Sequence, residues 1–511
     1  MRSITDHRLE EGGFNESIQR LVSSSPWWMI SLVVHAVAAL ILWNVPFSIK
    51  NIGDPRLLQA VNTDDQNPEE EPPPEEPPEE PEEDITEEVL EEDAEDIENE
   101  DDVDMDNEDT MGEDGLSDAP FTGPSDNSAI GLGGGAGGGR GGLGGRKRRR
   151  AKGGSGLTEN AVELGLKWLA DHQDVNGQGM WDCDEFSKHD PADDKCDGPG
   201  KALYDPGVTG LSILAFLGAG YTDRGTKRDN PYAKNVRMAL RYLSTIQDED
   251  GCFGPRNNQH FVYNHSIAAL AMCEAWAMTR NPRYKKPAQD GLNFISTARN
   301  PYLAWRYGVR PGDNDTSVTG WMVMALKSGK FGGLDIDPDA FEGARAWIDK
   351  MTDPDFGVVG YLQPGGSPAR PEGLQDKFPA EKSQSMTAVG ILTRIFLGEN
   401  PKESRMIKKG ADQCLKIVPV WDTEDGSIDM YYWYYATLAL YQVGGSTWKT
   451  WNKAMVPSIV KNQFPKGSGS RTGSWDPIGP WGPDGGRVYA TATLVMCLEV
   501  YYRYDRVFGL K

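Results

Sequence analysis

Residues 157–511 are expected to fold as an all-α barrel of six helical hairpins, an α6/α6 toroid, preceded by a single transmembrane helix and a disordered acidic and Gly-rich linker. Three observations predict this. From residue 157 onward one unit keeps returning, an amphipathic helix, a Gly turn and a smoother apolar helix. Residues 27–45 are almost wholly apolar. Residues 46–156 lack the aliphatic and aromatic side chains needed to offset chain entropy.

The N-terminal elements come first. Residues 1–26 read as a cytoplasmic segment carrying Arg2, Arg8 and Arg20. The run WWMISLVVHAVAALILWNV spans 27–45, and at 1.5 Å per residue its 19 residues reach about 28 Å, the thickness of a bilayer's hydrocarbon core. Trp27, Trp28 and Trp43 stand where interfacial aromatics belong, and no AxA cleavage site follows, so an uncleaved anchor is expected. The basic N-terminus and the acidic segment after the helix place the C-terminal bulk outside an inner membrane, in the periplasm. Ser31 and His35 lie one helical turn apart within the span, and an ionisable group there is a functional hypothesis.

The formal charge of −26 is local, since residues 64–114 hold 29 Asp and Glu and no Lys or Arg. The rest is close to neutral, which argues against a nucleic-acid partner despite the short basic cluster 146–152. The Pro/Glu, Gly-rich and basic tracts of 51–156 form a tether of about 105 residues, with a contour on the order of 350 Å.

Ser31, His35 and Leu42, followed by PEEEPPPEEPPEEPEE, resemble the SxxxH helix and Pro-rich spacer of TonB-type energy transducers. The resemblance covers about the first 90 residues and implies an ExbB and ExbD type proton-channel partner. Pro46 stands where that family has a serine, and its C-terminal receptor-binding domain is not recognisable.

In the repeats, WLADHQDVNG (168–177) and YLSTIQDEDG (242–251) agree as aromatic, Leu, three variable positions, Gln, Asp, two more and Gly. Ala161, Leu164, Trp168 and Leu169 make one apolar stripe with a polar back, as expected of an outer helix. Further outer helices end near Phe294, Trp347, Leu415 and Val460. The partner segments starting near 207, 264, 316, 385, 431 and 488 are apolar nearly all round, as an inner ring must be. Gly210, Ala268, Gly320 and Ala436 permit close approach. The turns QDVNGQGMW, QDEDGCFG and RTGSW resemble the Q…DGxW turn of the squalene-cyclase and prenyltransferase repeat family, over about 350 residues. That resemblance implies an α/α toroid; chemistry must be argued from the site.

The cyclases of that family protonate an alkene with the middle Asp of DxDDTA. The nearest match is Gly312-Asp313-Asn314-Asp315-Thr316-Ser317, with Asn314 at the donor's place, which argues against cyclisation by this route. Asp313 and Asp315 remain the candidate acids. Asp315 and Asp205 each stand three residues before a helical Val and also read as N-caps. The DGC of Asp250 to Cys252, with His265 downstream, is similar to the zinc ligands of protein prenyltransferases but coincides with the repeat's own turn. DDKCD (193–197) matches a magnesium motif of terpene synthases but lies in a Pro- and Gly-flanked loop.

Cys183 and Cys196 bracket a short insertion and are candidates for a disulfide, with a metal at Cys183, His189 and Cys196 as the weaker alternative. No cofactor is expected. The cluster Tyr431, Tyr432, Trp433, Tyr434 and Tyr435 opens an inner helix and would suit an isoprenoid, a sterol-like body or a sugar. With Asp205, His265, Asp315 and Arg487 at corresponding ends of inner helices, the mouth of the barrel is the expected ligand site. The first reading is a membrane-anchored extracytoplasmic module that binds an unknown isoprenoid, glycan or envelope partner without cyclase activity. The alternative is an enzyme, a divergent terpenoid cyclase or a carbohydrate-active α6/α6 protein.

Overall fold

The computed structural model describes residues 156–503 apart from 227–229. The anchor 27–45 with Ser31 and His35, the segment before it and the linker up to residue 155 lie outside the described residues. Among the described residues no helix is long and apolar enough to cross a membrane.

Twelve helices follow in order: α1 (Gly156–Asp171), α2 (Asp205–Gly218), α3 (Ala233–Thr245), α4 (Phe261–Thr279), α5 (Pro282–Ala298), α6 (Thr316–Phe331), α7 (Pro338–Met351), α8 (Ser385–Phe396), α9 (Arg405–Cys414), α10 (Met430–Val443), α11 (Gly445–Val460) and α12 (Gly482–Leu498). A single turn, α13 (Val500–Arg503), follows them. The even-numbered helices pack in a closed ring, α2 on α4, α4 on α6, and so on until α12 returns to α2. Odd-numbered helices lie outside it, and α1 leans on α12 rather than on α2. No strand occurs among the described residues; two isolated bridges, Gln247 with Phe253 and Thr352 with Val359, pinch repeat turns. The six-hairpin toroid is therefore the architecture of this domain.

The two layers follow from their side chains. In α1 only the stripe through Ala161, Val162, Leu166, Trp168 and Leu169 is apolar and buried, whereas every residue of α2 after Asp205 is buried. Close approach falls where glycine was expected. A Cβ on Gly210 would stand 2.9 Å from Ile267 Cγ2 and 3.1 Å from the Ala268 amide, and one on Gly320 would stand 2.4 Å from Val389 Cγ1.

The repeated turn is held by two devices. Its Gln reaches both its own loop and the next outer helix: Gln173 Nε2 donates to Gly179 O (2.7 Å) and Asn235 O (3.0 Å), and Gln247 Nε2 to Gly251 O (3.0 Å) and Pro287 O (2.9 Å). Gln463 completes the series, donating to Gly473 O (2.9 Å) and to Ala161 O of α1 (2.8 Å). The Trp of the turn caps the preceding outer helix. Trp181 Nε1 donates to Leu169 O (2.7 Å), Trp305 to Ile295 O (2.8 Å) and Trp475 to Ile459 O (2.7 Å), each satisfying a carbonyl the helix end leaves over. A Gln463→Leu substitution should leave two carbonyls short of a donor and cost about 1–3 kcal/mol, read as a lowered urea midpoint.

Candidate functional site

All six inner helices start at one end of the ring, where the long connections lie: 172–204, 246–260, 299–315, 352–384, 415–429 and 461–481. The returns at the other end are shorter, down to the single residue 444 between α10 and α11. Six helix N-termini therefore gather at the mouth, each with the positive end of its dipole there.

Side chains cross the interior at this end. Tyr263 of α4 donates its hydroxyl to Ser317 Oγ of α6 (3.1 Å), and Ser317 Oγ lies 2.8 Å from the Tyr431 hydroxyl of α10. Helices α6 and α10 are not neighbours in the ring, so this bond bridges the opening past α8. One helical turn deeper, Trp321 stacks on Tyr434 (centroids 5.8 Å apart, 16° between planes) and meets Tyr435 edge-on (5.3 Å, 80°), forming a floor. On one side of the mouth Tyr204 OH and His260 Nδ1 lie 3.2 Å apart, the His260 ring meets Tyr307 (4.8 Å) and the Tyr307 hydroxyl bonds that of Tyr361 (2.7 Å). On the other, Trp481 meets Tyr431 edge-on (6.3 Å). Tyr204, His260, Tyr263, Tyr307, Tyr431 and Trp481 are all half-buried, with faces left for a ligand.

Asp315 sits among them. Its Oδ1 caps α6 by accepting from Val318 N (2.7 Å), as the sequence suggested. Its Oδ2 is buried without a hydrogen-bond partner, the Arg306 guanidinium standing 4.0 Å away. Burial pushes this carboxyl up to about 7, against the pull of the Val318 amide, Arg306 and the Tyr361 hydroxyl. Burial also lowers the proton affinity of His260. Asn314 is spent on structure, accepting from Ala304 N (3.0 Å) and Asn300 Nδ2 (3.0 Å), so no proton donor stands at that position. Asp313 is exposed and pairs with Arg306.

The other candidates separate. Asp205 is not an N-cap: Tyr204 holds that place, and the Asp205 carboxylate turns back to accept from Cys183 N (2.8 Å). Burial, with Asp182 and Asp184 nearby, raises it to about 7. His265 does not face the mouth. Its Nδ1 accepts from Phe253 N of the repeat turn (3.0 Å) and its Nε2 faces Gly291 O of α5 (3.2 Å), so both nitrogens are taken and the ring is neutral. His265 is thus not turned toward the DGC as a ligand, and Asp250 is exposed and pairs with Arg256. Arg487 lies behind the rim, donating to Asp197 and to Asp476 (2.7 Å). Tyr432 points to the outer layer, its hydroxyl donating to Cys414 O and Ile417 O (both 2.9 Å), and Trp433 leans on Trp421 there.

Cys183 and Cys196 are both free thiols, so the expected disulfide is absent. The insertion folds them onto different walls: Cys183 Sγ donates to Gly485 O of α12 (3.2 Å), while Cys196 faces His172, just past the end of α1 (3.7 Å). His189 is exposed.

The described ring of helices defines an α/α toroid. No family model and no curated protein matches the chain. Solved structures similar in shape include the unsaturated glucuronyl hydrolase of a Bacillus species (12% identity, 68% of this chain and 99% of that one, TM-score 0.47). Others are an inactive variant of an alpha-1,6-mannanase of a Salegentibacter species in complex with alpha-1,6-mannotetrose (10%, 68% and 100%, TM-score 0.46) and a type II terpene cyclase of Scytonema (13%, 67% and 97%, TM-score 0.42). At these identities the likeness is one of fold alone.

Proposed function

We propose that the mouth of the barrel binds a glycan and performs acid–base chemistry on it, with Asp315 as proton donor and His260 as its partner. The observation that carries this is the unpartnered Oδ2 of Asp315, buried in a mouth ringed by tyrosine hydroxyls. A carboxyl displaced to about 7 holds and releases a proton near neutral pH, which general acid catalysis requires. The walls favour a polyol over an isoprenoid. Aromatic faces at Tyr263, Tyr307, Tyr431 and Trp481 suit the C–H face of a sugar, and the hydroxyls with Ser317 and Arg306 suit its polar edge. An isoprenoid would strand those polar groups in a dry pocket.

The test is incubation of the purified full-length chain with a panel of glycans, read by mass spectrometry and calorimetry. Turnover by the native chain and loss of turnover with retained binding in Asp315→Asn are expected. Binding with no turnover of any glycan would leave a binding module, the reading that the Asp315 cap favours, and absence of both would sink the proposal. Tyr431→Phe removes one hydroxyl and should weaken glycan binding by about 2- to 12-fold, the effect of one hydrogen bond, measured by calorimetry.

The location follows from the anchor 27–45: an inner-membrane protein with this domain in the periplasm, pulled on by a proton motor through Ser31 and His35. Membrane fractionation tests the first part, and an unchanged phenotype in His35→Ala would remove the second.

A further inference from the structure

Beside the mouth, at the C-terminal end of α1, three side chains unlike any pair named in the sequence converge. His172 Nε2 lies 2.7 Å from Asp190 Oδ1 and 3.7 Å from Cys196 Sγ, and the three donor atoms all lie within 4.8 Å of one another. Each is held from behind. His172 Nδ1 lies 2.8 Å from Trp168 O, a carbonyl that can only accept, so Nδ1 carries a proton and Nε2 presents its lone pair in the neutral ring. Asp190 Oδ2 accepts from Cys196 N (2.8 Å), which turns Oδ1 inward. Trp168 stacks on the imidazole (4.1 Å, 25°) and Phe186 meets it edge-on (5.8 Å), fixing the ring plane.

A neutral imidazole lone pair facing a carboxylate at 2.7 Å is two acceptors pointing at each other. Something positive must lie between them, a proton or a metal ion. The thiol of Cys196 favours the metal, since it brings a third ligand atom to the same point, within 4.8 Å of both others. The set of one imidazole, one carboxylate and one thiolate suits zinc, whose bonds of about 2.0–2.3 Å give ligand-to-ligand edges of roughly 3.3–3.7 Å. The observed N–S edge of 3.7 Å fits already, and the N–O edge needs to open by about half an ångström. The imidazole N–H donated to a backbone carbonyl is the usual outer support of a metal-bound histidine.

The geometry points to a zinc site held by three protein ligands, His172, Asp190 and Cys196, with water as the fourth. His172 and Cys196 are buried, so no substrate reaches the ion; it cross-links the start of the 172–204 connection, one residue past α1, to its middle. Binding releases to solvent the Cys196 proton and the proton held between His172 and Asp190, so uptake strengthens as pH rises. The inference is independent of the glycan reading.

The test uses the full-length chain in detergent, stripped with a chelator and dialysed against zinc or cobalt. About one ion per chain is expected, with a thiolate-to-cobalt absorption band and a zinc-dependent rise in melting temperature. Cys196→Ser should lose the band and the thermal shift, and Asp190→Asn should weaken uptake by at least about tenfold, the loss an outer-shell change alone can cause. Cys183→Ser should change neither. The wild-type comparison with and without zinc stands even if a variant misfolds. No uptake by the wild type, uptake without a thiolate band, or a band that follows Cys183 would overturn the site and leave a protonated His172–Asp190 pair.

Discussion

Asp315→Asn should fold, keep its helix cap and lose its chemistry. Asn caps a helix about as well as Asp, so the Val318 amide keeps its acceptor. Without a proton to give, turnover should fall by about 10²- to 10⁴-fold while glycan affinity changes little. The same substitution should flatten part of the pH dependence of stability. The folded carboxyl titrates at about 7 and the ordinary value is 3.8, so between them the folded chain keeps a proton that the unfolded chain has released. Its stabilising contribution is therefore complete below about 4 and lost as pH rises through about 7, at about 1.4 kcal/mol for each unit of displacement. Asp205 adds a second slope of the same sign, so the informative quantity is the wild-type minus Asp315→Asn difference in urea midpoint across this range. An unchanged difference would show that Asp315 is ionised throughout.

Arg487→Met should be the most destabilising single change at the rim while sparing chemistry at the mouth. The guanidinium is fully buried and ties two connections together, donating to Asp197 O (2.9 Å), Ser474 Oγ (3.1 Å) and the carboxylates of Asp197 and Asp476, with Phe464 against its face at 5.3 Å. Breaking a buried pair costs about 3–5 kcal/mol. Both carboxylates are substantially exposed and can take water when the Arg is gone, which places the loss toward the lower end. A lowered denaturant midpoint with new proteolytic cuts in 190–200 and 464–476 is expected. An unshifted midpoint would show that these connections hold without it.

The barrel was legible because its signals are periodic. Inner helices are buried on every side, outer helices on one, and the recurring Gln and Trp do the same bonding work at each turn they occupy. Asp315 as a cap and Asn314 as a disabled donor were legible from short-range rules. The mouth was less so. A residue near the start of an inner helix faces inward, sideways or outward according to a phase of about 100° per residue, and that phase is set by packing. Hence His265 and Arg487 turned away while Tyr431 turned in. Asp205 satisfied the cap pattern but found a better donor in Cys183 N, across an insertion whose path has no period. Tyr307, Tyr361 and His260 come from such connections too, and only their contacts mark them.

The clasp between the two ends of the ring bears on how the chain can be made. Trp168 bonds Ser470 across 302 residues of sequence, and Gln463 reaches Ala161 over the same distance. The barrel's first helix thus emerges from the ribosome long before its partner exists, and the part of its apolar stripe that packs on α12 waits uncovered until the last hairpin arrives. Closure is a final, slow event of high contact order, and every nascent intermediate is an open arc with two sticky ends.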